Sequence, residues 1–128
     1  MGLAGCAGDG GTTDEGPTET PGERVVEMTD ALKFEPATVE VTAGTTVRWE
    51  NVGGIAHSVT AYEDAIPADA DYFASGDFDS QSAAAAAYPE TGSIGGDAAY
   101  SHTFTVEGQY DYFCIPHESG MQGTVVVG

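Results

Sequence analysis

The sequence predicts an all-β sandwich or barrel that carries one short helix. Apolar and polar residues alternate with a period of two along several short runs, which is the pattern of strands with one buried face. Glycine-containing turn signals separate these runs, and many short strands joined by turns are typical of antiparallel sandwiches and barrels. A single alanine-rich run interrupts the alternation and predicts the helix.

Each predicted strand is defined by the side chains that share one of its faces. In chain order the shared faces carry Val39 and Val41; Val47 and Trp49; Tyr100, His102, Phe104 and Val106; Tyr110, Tyr112 and Cys114; and Val125 and Val127. Turn signals lie between the runs at Ala43-Gly44, Gly53-Gly54, Glu107-Gly108 and Gly120. We expect the shared faces to line one core, with Met28 as a further core residue.

The helix is predicted within DSQSAAAAAYP. Asp79 is a residue type that favours the N-cap, the alanines have the best helix propensity, and Pro89 stops the helix. The preceding acidic stretch, residues 63–79, contains Pro67 and Gly76 and shows no clean period. It is predicted to be a long loop.

Residues 1–22 and 23–128 differ in composition. The first segment consists mainly of Gly, Thr, Pro and acidic residues with almost no large apolar side chains. Such a chain cannot bury enough surface to offset its ordering entropy, so it is predicted to be a disordered acidic linker. The remainder has the usual length of one compact domain.

Leu3, Ala4, Gly5 and Cys6 resemble the lipobox of prokaryotic lipoproteins. The resemblance implies that Cys6 carries a diacylglyceryl group, and two acyl chains give stable membrane anchoring. No apolar signal region precedes it in this sequence. The alternative is a chance match, in which case Cys6 is a free thiol. The sequence contains no run of about 18 apolar residues, so no transmembrane helix is predicted.

The charge balance excludes several classes of partner. Twenty-one acidic residues against three basic ones give a formal net charge of −18. Such a surface repels phosphate backbones and anionic lipid headgroups, so nucleic acid is not an expected partner. The excess of acid favours adaptation to very high salt, where self-repulsion is screened. An ordinary acidic secreted protein is the alternative.

A small set of side chains carries soft or imidazole donor atoms in the predicted domain. They are Met28, His57, His102, Cys114, His117 and Met121. One thiolate, two imidazoles and a weak axial thioether form the ligand set of a blue copper site. The run YDYFCIPHESGMQGTVVV delivers three of these donors in one loop, and NVGGIAHSV places His57 at the start of a strand after a glycine-rich turn.

The quoted motifs resemble those of the cupredoxins, in particular plastocyanin and its close relatives. The resemblance spans about residues 25–127 and rests on TVEVTAGTTVRWENVGGIAHSVTAYEDAIP and GQYDYFCIPHESGMQGTVVV. The acidic form with a lipobox and linker is most similar to the halocyanins of halophilic archaea. The resemblance implies a Greek-key sandwich that binds one type 1 copper ion.

Carried over to this sequence, the resemblance makes His57, Cys114 and His117 the equatorial copper ligands and Met121 the axial ligand. Three residues separate His117 from Met121. Plastocyanin-like loops usually have one more residue here and amicyanin-like loops one fewer, so the axial distance and the redox potential are left open. His102 and Met28 are expected to be structural.

The resemblance also implies contacts around the ligands. Backbone N–H groups near Ser58 are expected to donate to the Cys114 sulfur, and the Ser58 hydroxyl to tie the two ligand loops together. Phe113 is expected to be an ordinary half-exposed aromatic, with a role as a second electron path as the alternative. An apolar patch for a redox partner is expected beside His117, formed by Ile55, Ile115 and Pro116.

The function predicted from these observations is one-electron transport between membrane redox partners of a respiratory or photosynthetic-type chain. We expect a monomer that is not an enzyme, tethered through Cys6 to the outer face of the cell membrane. A copper-delivery protein is the main alternative. A multicopper enzyme needs several more histidines, and only His102 is left over. A metal-free sandwich is the remaining alternative.

Overall fold

The computed structural model describes residues 22–128 as a two-sheet sandwich. The strands, in chain order, are β1 (Glu23–Met28), β2 (Phe34–Glu35), β3 (Thr38–Val41), β4 (Thr45–Asn51), β5 (Thr60–Ala61), β6 (Ala99–Phe104), β7 (Gly108–Phe113) and β8 (Gln122–Val127). One helix, α1 (Gln81–Ala87), lies between β5 and β6, and single 3₁₀ turns occur at Glu63–Ala65 and Ile115–His117. The predicted lipobox, with Cys6, and the predicted linker up to residue 21 lie outside the described residues.

The sheets are mixed rather than purely antiparallel. One sheet has the order β2-β1-β4-β6 and the other the order β3-β8-β7-β5. β1 runs parallel to β4, and β3 runs parallel to β8, whereas the other pairs are antiparallel. The predicted antiparallel arrangement is therefore wrong for these two pairs. A period of two reports which face of a strand is buried, but not the direction of its neighbour.

The predicted strand faces form the core between the sheets. All of the residues assigned to these faces are buried except Val41, Tyr100, His102 and Val106, which are partly exposed. Trp49 lies at the centre, with ring centroids of Tyr112 and Tyr100 at 5.3 and 5.7 Å. β6 ends at Phe104, so Val106 falls in the following turn.

The helix begins one residue later than predicted. Ser80, rather than Asp79, is the N-cap, and its hydroxyl accepts a hydrogen bond from the backbone N–H of Ala83 at 3.1 Å. The helix ends at Ala87, with Tyr88 as C-cap immediately before Pro89. Only Ala84 is buried, so the helix lies outside the sheets as expected.

The long loop over 63–79 is confirmed, but part of it enters the core. Phe73 is 2% exposed and stacks on the ring of His102 at a centroid distance of 4.8 Å. Its backbone oxygen accepts from the N–H of Ala61. Within the described part of the chain, no helix has the length and apolar character needed to cross a lipid bilayer.

Candidate metal centre

One short loop between β7 and β8 carries three of the predicted ligands. Cys114 directly follows β7, His117 ends the 3₁₀ turn, and Met121 directly precedes β8. The N–H of Cys114 donates to the Met121 oxygen at 3.0 Å, and the N–H of Met121 donates to the His117 oxygen at 2.9 Å. The loop is therefore closed on itself by the backbone of the residues that carry the candidate donors.

His57 is brought to this loop by a bridge across the molecule. It does not begin a strand, because β5 starts only at Thr60. Instead the backbone of His57 exchanges two hydrogen bonds with Ile94, at 3.1 and 2.7 Å. The side chain of His57 is fully buried. Its position is thus set by a contact with the segment between α1 and β6.

Asn51 supports this bridge and received no role from the sequence. Its amide nitrogen donates to the oxygens of Ile55 and Ile94 at 2.8 and 2.9 Å, and its amide oxygen accepts from the N–H of Gly53 at 3.0 Å. Asn51 is 2% exposed, so these three bonds satisfy a buried side chain. The position of Asn51, two residues before the Gly53-Gly54 pair, was the sequence feature that could have indicated this role.

The thiol and the two imidazoles meet in space. The sulfur of Cys114 lies 3.8 Å from Nδ1 of His57 and 3.4 Å from Nδ1 of His117. One donor atom from each residue lies within 4.8 Å of the others, and this is the only such group of His, Cys, Asp and Glu found in residues 22–128. His102 and Met28 are not part of it.

These distances fit a trigonal metal site. A metal bonded at about 2.3 Å to a thiolate and at about 2.0 Å to an imidazole holds the two donor atoms about 3.7 Å apart at trigonal angles. The two observed separations bracket this value. Two imidazoles with one thiolate are the equatorial set of blue copper sites. The residues present therefore fit a copper ion.

The fourth predicted ligand lies beside this group in the chain. Met121 is completely buried and is joined to Cys114 and His117 by the backbone hydrogen bonds described above. A thioether on the axis of a copper site is a long and weak ligand. Its axial role stays a prediction.

The expected contacts of Ser58 are present. Its backbone N–H donates to the Cys114 sulfur at 3.4 Å, and its hydroxyl accepts from the N–H of Ile115 at 2.8 Å. Burial raises the pKa of the Cys114 thiol, while the hydrogen bonds from Ser58 and from the backbone of His117 lower it. Ser58 therefore links both ligand segments and favours the thiolate.

Replacing Ser58 with alanine is expected to lower the free energy of unfolding of the metal-free protein by about 1–3 kcal/mol, because the N–H of Ile115 loses its acceptor. Urea unfolding measures this. Ser101→Ala, on the exposed side of β6, is the matched control and should change stability little. Equal stabilities of the two variants would argue against the tie between the ligand loops.

The environment of His57 disfavours its protonation. Burial lowers the pKa of its imidazole, and His117 lowers it further, while the Thr29 backbone and the Asp30 carboxylate act in the opposite direction. The two imidazole rings lie 5.4 Å apart and are steeply inclined to each other. A neutral imidazole is the form that binds a metal.

Exposed or partly exposed apolar side chains occur on both loops that carry the candidate ligands. His117 is half-buried, Pro116 is exposed and Ile115 is half-buried. Ile55 is 42% exposed on the loop before His57, and Val52, which the sequence did not single out, is 52% exposed on the same loop. Val52 and Ile55 are the exposed large hydrophobic residues of the described part of the chain.

Phe113 differs from the expectation. It is 4% exposed rather than half-exposed, because the ring of Tyr62 stacks on it at a centroid distance of 4.4 Å. The Tyr62 hydroxyl donates to Glu118 at 2.9 Å and accepts from the side chain of Gln122 at 3.2 Å. Burial and the neighbouring Glu118 raise the pKa of Tyr62 to about 12. Tyr62 thus ties β5 to the loop of His117, a link that no local pattern signalled.

The whole described domain is similar to known copper proteins. Residues 22–128 match the family model described as copper binding proteins of the plastocyanin/azurin family. Chloroplastic plastocyanin of Tetradesmus obliquus is 38% identical over 98 residues, which cover 76% of this chain and 59% of that relative. Plastocyanin of Scenedesmus fuscus is 37% identical over 98 residues, covering 76% of this chain and 88% of the relative.

Solved structures share the fold. An amicyanin variant in its Cu(I) form superimposes with a TM-score of 0.61 at 29% identity, over 87% of both chains. Amicyanin from Paracoccus versutus gives a TM-score of 0.58 at 27% identity, over 87% of this chain and 86% of that one. The predicted β-sandwich with one short helix is confirmed by this likeness.

Proposed function

The chain belongs to the plastocyanin/azurin family of copper-binding proteins, with copper as its cofactor, and we propose that it is a blue copper electron carrier. In this proposal His57, Cys114 and His117 would hold one copper ion through two imidazoles and a thiolate, and the thioether of Met121 would be its fourth, weak ligand. The observation that carries the proposal is the triangle of one sulfur and two Nδ1 atoms, with a backbone N–H aimed at the sulfur.

The protein part of the mechanism is to hold the donors still. Bound copper supplies a one-electron couple between Cu(I) and Cu(II). His57, Cys114 and Met121 are fully buried, so these side chains exclude water from their side of the site. The backbone of each is hydrogen-bonded to another ligand or to Ile94, so the donors need little rearrangement when the charge of the site changes. Fixed donors of mixed softness suit both oxidation states.

Electrons are proposed to enter and leave at the edge of His117. This ring is half-buried, its chain neighbour Pro116 is exposed, and Ile55 is exposed two residues before His57. Apolar contacts with a redox protein at this surface are short-lived when the interface is small, as a carrier requires. With a net charge of −18, steering by charge depends on ionic strength and is largely screened at high salt.

The physiological setting is proposed from the sequence. The partners are redox proteins of a respiratory or photosynthetic-type chain, and the protein acts as a monomer on the extracytoplasmic face of the membrane. Cys6, in the lipobox-like segment, is the proposed anchor site. The acidic composition supports a relationship to the halocyanins of halophilic archaea, because such an excess of carboxylates is suited to high salt.

Titration of the metal-free protein with Cu(II) tests the proposal. We expect an intense visible charge-transfer band that saturates at one equivalent of copper and bleaches reversibly on reduction. A thiolate bound to Cu(II) is the only source of such a band here. A weak band alone, or a colourless protein, would contradict the proposal.

Copper delivery is the second candidate function. His117 is only half-buried, so a partner protein can contact this candidate ligand directly, and this favours copper delivery. A delivery protein releases Cu(I) readily to an acceptor, whereas a carrier retains copper through repeated oxidation and reduction. Transfer of Cu(I) to a chelator of known affinity, measured before and after redox cycling, separates the two.

A further inference from the structure

The turn after β1 supplies a carboxylate to the loop that carries His57. Oδ1 of Asp30 accepts hydrogen bonds from the backbone N–H groups of Gly54 and Ile55, at 2.9 and 3.1 Å. These residues precede His57 by three and two positions. Hydrogen bonds to an ionised acceptor are stronger than neutral ones. Asp30 therefore fastens the ligand loop from a distant part of the chain.

Gly53 shows how closely the two segments approach. A Cβ at Gly53 would lie 2.1 Å from Oδ1 and 2.5 Å from Cγ of Asp30. Both distances are far below van der Waals contact, so a side chain at residue 53 would displace the carboxylate from this position. Gly53, the first residue of the pair that predicts a turn, thus also makes room for a charged group.

The carboxylate is held by a tight turn of its own. The N–H of Thr29 donates to the oxygen of Lys33 at 3.1 Å, and the N–H of Leu32 donates to the oxygen of Thr29 at 3.0 Å. Asp30 lies inside this closed turn, two residues after the end of β1, which is a central strand of its sheet. The backbone of Asp30 is therefore positioned by the turn that follows β1.

From these contacts we infer that Asp30 is a positioning residue for His57 and that its negative charge lowers the reduction potential of the copper site. The inference rests on the proposed function. The oxidised site carries one more positive charge than the reduced site, so a fixed anion close to a ligand stabilises the oxidised form. The side chain is exposed, so added salt weakens this effect.

Asp30→Asn tests the charge, because asparagine keeps the shape and one acceptor oxygen. We expect its midpoint potential to rise above that of the wild type, and the difference to shrink as sodium chloride is added. The control is Glu107→Gln, which removes the same charge immediately before β7. Cys114 follows the other end of that strand. A shift in Asp30→Asn no larger than that of the control overturns the electrostatic part of the inference.

Hydrogen exchange of the metal-free protein tests the positioning. In Asp30→Ala the amides of Gly54 and Ile55 lose their acceptor and should exchange about tenfold faster or more. Unchanged exchange overturns the positioning part. Should Asp30→Ala fail to fold, Asp30→Asn carries both measurements, with a smaller increase in exchange. A wild-type protein without a thiolate band defeats the proposed function instead, and the exchange of these amides still decides whether Asp30 holds the loop.

Discussion

Serine in place of Cys114 is expected to abolish the intense charge-transfer band of the copper-loaded protein. That band requires a thiolate bonded to Cu(II), and a hydroxyl is a harder, weaker donor that does not replace it. Cys114 is buried, and its sulfur is the donor that both imidazoles face at 3.4 and 3.8 Å. The absorption spectrum after addition of one equivalent of Cu(II) measures the loss.

The second cysteine of the chain provides the matched control. Cys6 lies in the N-terminal segment, so Cys6→Ser removes a thiol and leaves every predicted copper ligand unchanged. This variant should keep the full band and the same copper stoichiometry. If Cys114→Ser kept the band, or if Cys6→Ser lost it, the assignment of the Cys114 sulfur as a copper ligand would be wrong.

Truncating Trp49 to alanine is expected to lower the free energy of unfolding by about 3–5 kcal/mol. Trp49 is fully buried and packs against the rings of Phe73, Tyr100, Phe104 and Tyr112. Removing the indole leaves a cavity that the surrounding rings cannot fill completely. Since small domains have about 5–15 kcal/mol in total, a large share of the stability is lost. Urea unfolding followed by circular dichroism measures the change.

Val52→Ala is the control for this truncation. Val52 directly follows β4, one residue beyond its end, and is 52% exposed, so shortening it removes little buried surface. We expect a change within about 0.5 kcal/mol. A Trp49 variant as stable as this control would mean that the indole is not the centre of the core.

Tyr112, which contacts Trp49, lies two residues before Cys114. Truncating Trp49 therefore also removes packing behind the ligand loop.

Local spacing was sufficient for much of the fold and of the candidate site. Alternation along a strand sets which side chains face inward, and this predicted the burial of Trp49, Tyr110 and Tyr112. Cys114, His117 and Met121 are neighbours in sequence, so one turn of chain had to bring their backbones together. The family resemblance supplied the two contacts of Ser58.

Contacts between distant segments were decided only by the tertiary structure. The pairing of β1 with β4 and of β3 with β8 is parallel, which alternation does not report. Phe113 is buried because Tyr62, which directly follows β5, covers it. Ser80 caps the helix in place of its acidic neighbour because its hydroxyl reaches the N–H of Ala83.

The same division runs through the metal centre. By itself the sequence determined the kinds of donor atom and the compact loop that carries three of them, because both are properties of adjacent residues. The approach of His57 to Cys114 was decided by the packing of two sheets, by the bridge to Ile94 and by the hold of Asp30 on the preceding loop. Such contacts join residues far apart in the chain, and their geometry exists only once the core has formed.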